Sequence, residues 1–165
     1  MDALIERIRA RIAAGRPCDH PGEWLPVQRP ATPAALADAE AALGFRLPGL
    51  LRTLYVEVGN GGFGPVFGLL PLSRASLGDD PPAEADFDLL GQYDALRRDG
   101  PGGSGWRPGM VPAFYCGCSV FEFVDCYNPD AAVVPLDLGA DMEEWPPVPS
   151  LAGRLEMWLA GEQPW

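Results

Sequence analysis

Residues 59–66 read GNGGFGPV, and the fold of this chain turns on what those glycines are for. Gly59, Gly61 and Gly64 satisfy G-x-G-x-x-G, and Asp79 lies twenty residues after Gly59. With Val66 the stretch also matches the G-x-G-x-x-G-x-V of a kinase phosphate loop. A dinucleotide loop needs a strand before the glycines and a helix after them, so that the pyrophosphate meets a helix N-terminus. The flanks give the reverse order. Leu51, Leu54, Tyr55 and Val58 follow the i, i+3, i+4, i+7 template of a helix started at Pro48, and the apolar run 66–72 reads as a short buried strand. The negative end of that helix dipole would face a phosphate. Kinase and Walker loops both require a lysine, and all twelve basic residues here are arginine. The glycines therefore read as a helix stop and a tight turn. Gly59 is expected as a left-handed C-terminal cap, with Asn60 and Gly61 at positive φ.

Upstream, Leu4, Ile5, Ile8 and Ile12 recur at helical spacing up to Gly15. Residues 16–31 are Pro-rich and irregular, and with the first helix they make 1–31 an N-terminal extension of the domain. Thr32 before Pro33 is an N-cap signal for a helix with Leu36, Ala39 and Leu43 on one face and Gly44 as its stop. Downstream, 78–85 is an acidic loop, and 86–98 reads as a helix carrying Phe87, Leu90, Tyr93 and Leu96 or Leu89. GPGGSG (100–105) is a connection inside one domain rather than a boundary. Segments 110–115, 119–126 and 132–137, joined by the CGC turn and by Asn128-Pro129-Asp130, predict an antiparallel meander. Ser150 caps a closing helix with Leu151, Leu155, Trp158 and Leu159 on its apolar face, ended by Gly161. The expected class is α+β. It is a single domain over 1–165, with an antiparallel sheet of about four to six strands covered by N-terminal helices and a C-terminal helix.

The formal charge of −11 is unevenly distributed: residues 1–78 carry +1 and residues 79–165 carry −12. A field of that sign repels nucleic-acid phosphates and anionic lipid and favours a cationic protein partner. The candidate partner-binding residues are therefore Asp79, Asp80, Glu84 and Asp86 in one acidic stretch and Asp141, Glu143 and Glu144 in another. The charged opening MDALIERIRARIAAG has no apolar secretory segment, and no uncharged run is long enough to span a bilayer, so a cytoplasmic location is expected. The excess of Ala, Gly, Pro and Arg suggests a GC-rich bacterial genome.

Cys18, Cys116, Cys118 and Cys126 fit reduced thiols, with a bridge left open. Cys18 and His20 with Cys116 and Cys118 could supply four zinc ligands, but the spacing matches no common module, and packing is the preferred role. Any acidic loop offers carboxylate pairs of the glycosidase kind. The lone His20 lies in a Pro-rich loop with no nucleophile near it in sequence. A non-catalytic protein without metal or cofactor is the expectation.

Read together, residues 32–72 resemble the signature half of the SUKH superfamily, the Smi/Knr-type domain. The resemblance rests on the Thr-started helix with Ala39-Glu40, on Leu43-Gly44 and Leu47-Pro48, on the aliphatic–aromatic helix, and on Asn60, Gly61 and Gly62 before an apolar strand. Trp106 with Pro108, Gly117-Cys118, a strand closing on Asp125, residues 133–137 and the helix with Trp158 follow the family's order. Ala35 stands where the family often has an acidic residue, and 78–105 is insertion-like. The resemblance implies an α+β protein-binding domain. Bacterial members typically serve as immunity proteins that neutralise a cognate toxin, often a nuclease or deaminase. The alternative it implies is an intracellular regulatory or scaffold domain without a toxin.

Overall fold

The structure, a computed structural model, describes residues 2–78, 81, 82, 87–99, 105–139 and 145–164. Helix α1 (Asp2–Ala13) buries Leu4, Ile5 and Ile8, the face expected from its periodicity. Helix α2 (Pro33–Leu43) starts where Thr32 Oγ1 accepts a hydrogen bond from the Ala35 N–H at 3.1 Å, and Gly44 caps its other end in the left-handed region. Glu40 on α2 accepts from the Leu47 N–H at 2.8 Å and lies 3.2 Å from Arg52 Nε, which fixes the turn into the next helix.

That helix departs from the expected form. Only Gly49–Thr53 is α-helical (α3), and Leu54–Val58 continues as a π-helical turn. The Gly59 N–H donates to the Leu54 carbonyl rather than to Tyr55, so the Tyr55 carbonyl is left to accept from the Ala31 N–H at 2.9 Å. The widened turn thus stitches the irregular segment before α2 onto the end of this helix. Leu51, Leu54 and Tyr55 are fully buried as expected, while Val58 is only half-buried.

Strand β1 is shorter than expected, only Gly68–Leu69 within 66–72. A 3₁₀ turn (Arg74–Leu77) follows, then α4 (Leu89–Asp99), which begins three residues later than the 86–98 reading. Its first N–H groups, on Leu89 and Leu90, donate to the Pro71 and Leu72 carbonyls. The meander is as expected: β2 (Met110–Gly117), β3 (Val120–Asp125) and β4 (Val133–Asp137) pair antiparallel, with β1 outside β2 in the order β1-β2-β3-β4. Helix α5 (Leu151–Ala160) closes the fold, with the Ser150 hydroxyl accepting from the Gly153 N–H and Gly161 as its left-handed cap.

Two rows of side chains follow from the register. Tyr115, Phe121 and Leu136 lie opposite one another, and Phe114, Glu122 and Pro135 form the adjacent row. Successive residues point to opposite faces of a sheet, so the rows face different layers. Arg154 of α5 reaches Glu122, so α5, with α1 beside it, covers the Glu122 face. Phe87, at the entry to α4, stacks on Tyr115 and Phe121 and covers part of the other face. The result is an α+β domain with a four-stranded antiparallel sheet and helices at both ends of the chain. Among the described residues no helix is long and apolar enough to cross a membrane.

Candidate functional site

The glycine stretch is tightly held, and the chain itself takes up several of its hydrogen-bonding groups. Residues 59–65 are all buried. Asn60 donates its backbone N–H to the Arg29 carbonyl, Gly62 to Leu69, and Gly64 to Pro17, while the Val66 N–H meets Asp19 Oδ2. Two of the expected conformations need correction. Gly59 has φ of 178°, extended backbone that any residue adopts, so it is not a left-handed cap. A glycine is needed there because a Cβ would lie 2.7 Å from the Gln28 carbonyl oxygen.

Asn60 is not at positive φ either, although Gly61, at 108°, is. Asn60 contributes its side chain. Fully buried, its Oδ1 accepts from the Leu72 N–H at 3.0 Å, and its Nδ2 donates to the Ser76 hydroxyl at 2.8 Å. The carboxamide thereby ties the loop to the segment leaving β1, and a buried amide needs such partners. Of the motif residues, Leu47 is buried beside half-buried Pro48, and Asn60, Gly61 and Gly62 form this junction.

The two acidic stretches named from the sequence, Asp79, Asp80, Glu84 and Asp86 with Asp141, Glu143 and Glu144, lie outside the described residues. Their flanks are described. The first stretch leads directly into Phe87. The second leads into Trp145, which lines a 300 Å³ hollow at the β4 edge together with the ion-paired Arg107 and Asp125.

Sequence reasoning missed the strongest electrostatic feature, a buried ion pair. Glu122 on β3 and Arg154 on α5 are both fully buried. Arg154 Nε donates to Glu122 Oε2 at 2.9 Å and Nη2 donates to Oε1 at 2.8 Å, a two-pronged contact. Burial pushes the Glu122 carboxyl above its ordinary range, while the guanidinium pulls it back down. A polar chain leads outward from the pair. Arg154 Nη2 also approaches Gln163 Oε1 at 3.5 Å, and Gln163 Nε2 donates to Asp19 Oδ2 at 3.0 Å. Asp19 in turn meets Arg11 at 3.2 Å, whose guanidinium lies 4.6 Å over the Trp158 ring. The chain thus joins α1, the irregular segment, α5 and the sheet. The signals present in the sequence were a glutamate in the middle of an apolar strand (VFEFVD) and an arginine beside the apolar stripe of the last helix.

The cysteines occupy four different settings. Cys18 is buried, Cys116 sits 3.9 Å from Glu122 Oε1, Cys126 is half-buried, and Cys118 is exposed at the hairpin tip with φ of 51°. All four are free thiols. Burial is the main cause that pushes the Cys18 and Cys116 thiols up and takes Cys126 to about 12. Thiolate is the reactive form, so iodoacetamide at pH ~8 is expected to label Cys118 at least about tenfold faster than the other three. Peptide mass mapping of the native protein reads this out, and equal labelling of Cys116 would mean that the Glu122 face is open to solvent. Among the described residues, no group of three or more His, Cys, Asp or Glu side chains could hold a metal ion.

A cluster of rings is the second feature that the sequence did not reveal. Phe87, expected on the buried face of α4, lies before that helix and is 40% exposed. It stacks on Tyr115 at 5.6 Å. Tyr115 also meets Phe67 at 5.5 Å and Trp24 at 5.2 Å, and Phe67 stacks on His20 at 4.8 Å. His20 Nδ1 lies 3.6 Å from Glu23. No family model matches this chain, and no curated protein matches it.

Proposed function

We propose that this chain is a non-catalytic protein-binding module of the bacterial cytoplasm, an immunity protein that neutralises a cognate toxin through an acidic surface. The observation carrying this reading is the charge distribution: all the excess negative charge lies in residues 79–165, with seven carboxylates in two short stretches. A toxin that acts on nucleic acid carries a basic groove, and an acidic protein can occupy that groove while steering fast association. The resemblance to the Smi/Knr-type domain points the same way. The strongest internal charges, Glu122 and Arg154, are turned on each other and buried, which leaves binding to surface groups.

The test is co-purification with the toxin encoded by the adjacent gene, followed by association kinetics in varied salt. The on-rate is expected to fall about ten- to a hundredfold between ~0.05 and ~0.5 M salt. A rate indifferent to ionic strength would remove charge steering. A locus with no toxin gene, and no toxin bound, would favour the regulatory or scaffold role.

A further inference from the structure

A single exposed apolar side chain needs no explanation, but a contiguous apolar patch does, and among the described residues only Phe87 and Tyr127 are large hydrophobics with substantial exposure. Phe87 does not stand alone. It rests on Tyr115, which with Trp24 and Phe67 makes a half-buried group of rings seated on the buried Phe121. Such a surface is rigid because the rings hold one another and the strand beneath them in place. Rigid aromatic rings lose little rotamer entropy on binding and dominate interface energetics.

The charge around these rings is negative. Trp24 follows Glu23, whose side chain is 63% exposed, and Phe87 is followed directly by Asp88. Faces of Tyr, Trp and Phe attract guanidinium and ammonium groups, and neighbouring carboxylates add to that attraction. We infer that Phe87, Tyr115, Phe67 and Trp24 form the centre of the partner-binding surface, and that the occupant is a basic protein which lays an arginine or lysine on these rings. This rests on the protein-binding reading above. It moves the energetic centre from the carboxylates, which steer, to the rings, which hold.

The experiment titrates isotope-labelled full-length chain with an arginine-rich peptide of alternating Arg and Gly, following aromatic resonances, and repeats it with Phe87→Ala and Glu23→Gln. Phe87 packs on Tyr115 and Phe121, so melts of Phe87→Ala beside the parent separate lost folding from lost binding. Glu23→Gln, at an exposed carboxylate, tests the surface without removing a ring. The largest shifts are expected on the four rings, with a loss of about tenfold in affinity for Phe87→Ala and a smaller loss for Glu23→Gln. Shifts that leave the rings unmoved, or unchanged affinity in Phe87→Ala, would overturn the inference. So would a concentration-dependent dimer abolished by Phe87→Ala, because a second copy would then be the occupant. The toxin separates the two proposals. If it binds wild type and Phe87→Ala alike, the aromatic centre fails and the immunity reading stands. If the peptide seats on the rings while the toxin does not bind, the immunity reading fails alone.

Discussion

Arg154→Met is expected to cost about 3–5 kcal/mol of folding stability at neutral pH, or on the order of 10 °C in Tm for a chain of this length. The loss does not measure what the ion pair is worth. It reflects the Glu122 carboxylate left buried between sheet and helix without its two-pronged partner. Burial already raises the Glu122 pKa against the pull of Arg154, so removing the guanidinium raises it further. A carboxyl whose folded-state pKa exceeds its unfolded value favours folding when protonated, and that contribution is lost as pH rises. The deficit should therefore be larger near pH ~7 and shrink as pH falls towards the ordinary glutamate value of 4.5. The paired replacement Glu122→Leu with Arg154→Met removes both charges and should lie within ~1–2 kcal/mol of wild type. Thermal melts at the two pH values decide the matter. A single variant that loses under ~1 kcal/mol with no pH dependence would mean that water reaches the pair.

Gly62→Ala is expected to be nearly as damaging, at about 2–5 kcal/mol. Two independent penalties meet at this residue. Its φ of 82° lies in the left-handed region that a Cβ disfavours. A Cβ there would also sit 2.2 Å from the Pro26 carbonyl oxygen and 2.8 Å from that of Leu25. Both are backbone atoms of the segment packed across the loop, and they cannot rotate away as a side-chain tip would. Gly44→Ala makes a useful comparison, because it shares the left-handed φ but meets nothing within 4 Å. Its cost should stay near ~1–2 kcal/mol. Denaturant melts of the two variants separate conformational strain from collision, and equal losses would show that the close approach to Pro26 relaxes.

The parts of the fold that were legible in the sequence are those whose cause is local. Thr32 with Pro33, Gly44, Ser150 and Gly161 bound their helices because caps act within a turn of the chain. The meander was visible because alternation and turn residues are short-range signals. What escaped depends on contacts distant in sequence. The π-helical turn leaves the Tyr55 carbonyl to the distant Ala31 N–H, and no periodicity in 48–58 reports that partner. Phe87 fits a helical stripe in sequence, yet Leu89 and Leu90 are held by Pro71 and Leu72 and the helix starts after it. The carboxylates chosen for the partner surface were read from charge density alone. The rings of Trp24, Phe67 and Tyr115 come from separate segments and leave no mark in sequence, and the glutamate in VFEFVD and the arginine of the last helix each signal a buried charge without naming its partner.

The pairing of Glu122 with Arg154 also imposes an order on biosynthesis. The two residues are 32 positions apart, so the ribosome adds the arginine about 2–6 s after the glutamate. The meander can pair on its own, but its Glu122 face stays wet until α5 brings Arg154 onto it. A product that stops short of Arg154 therefore keeps an uncompensated charge at its centre.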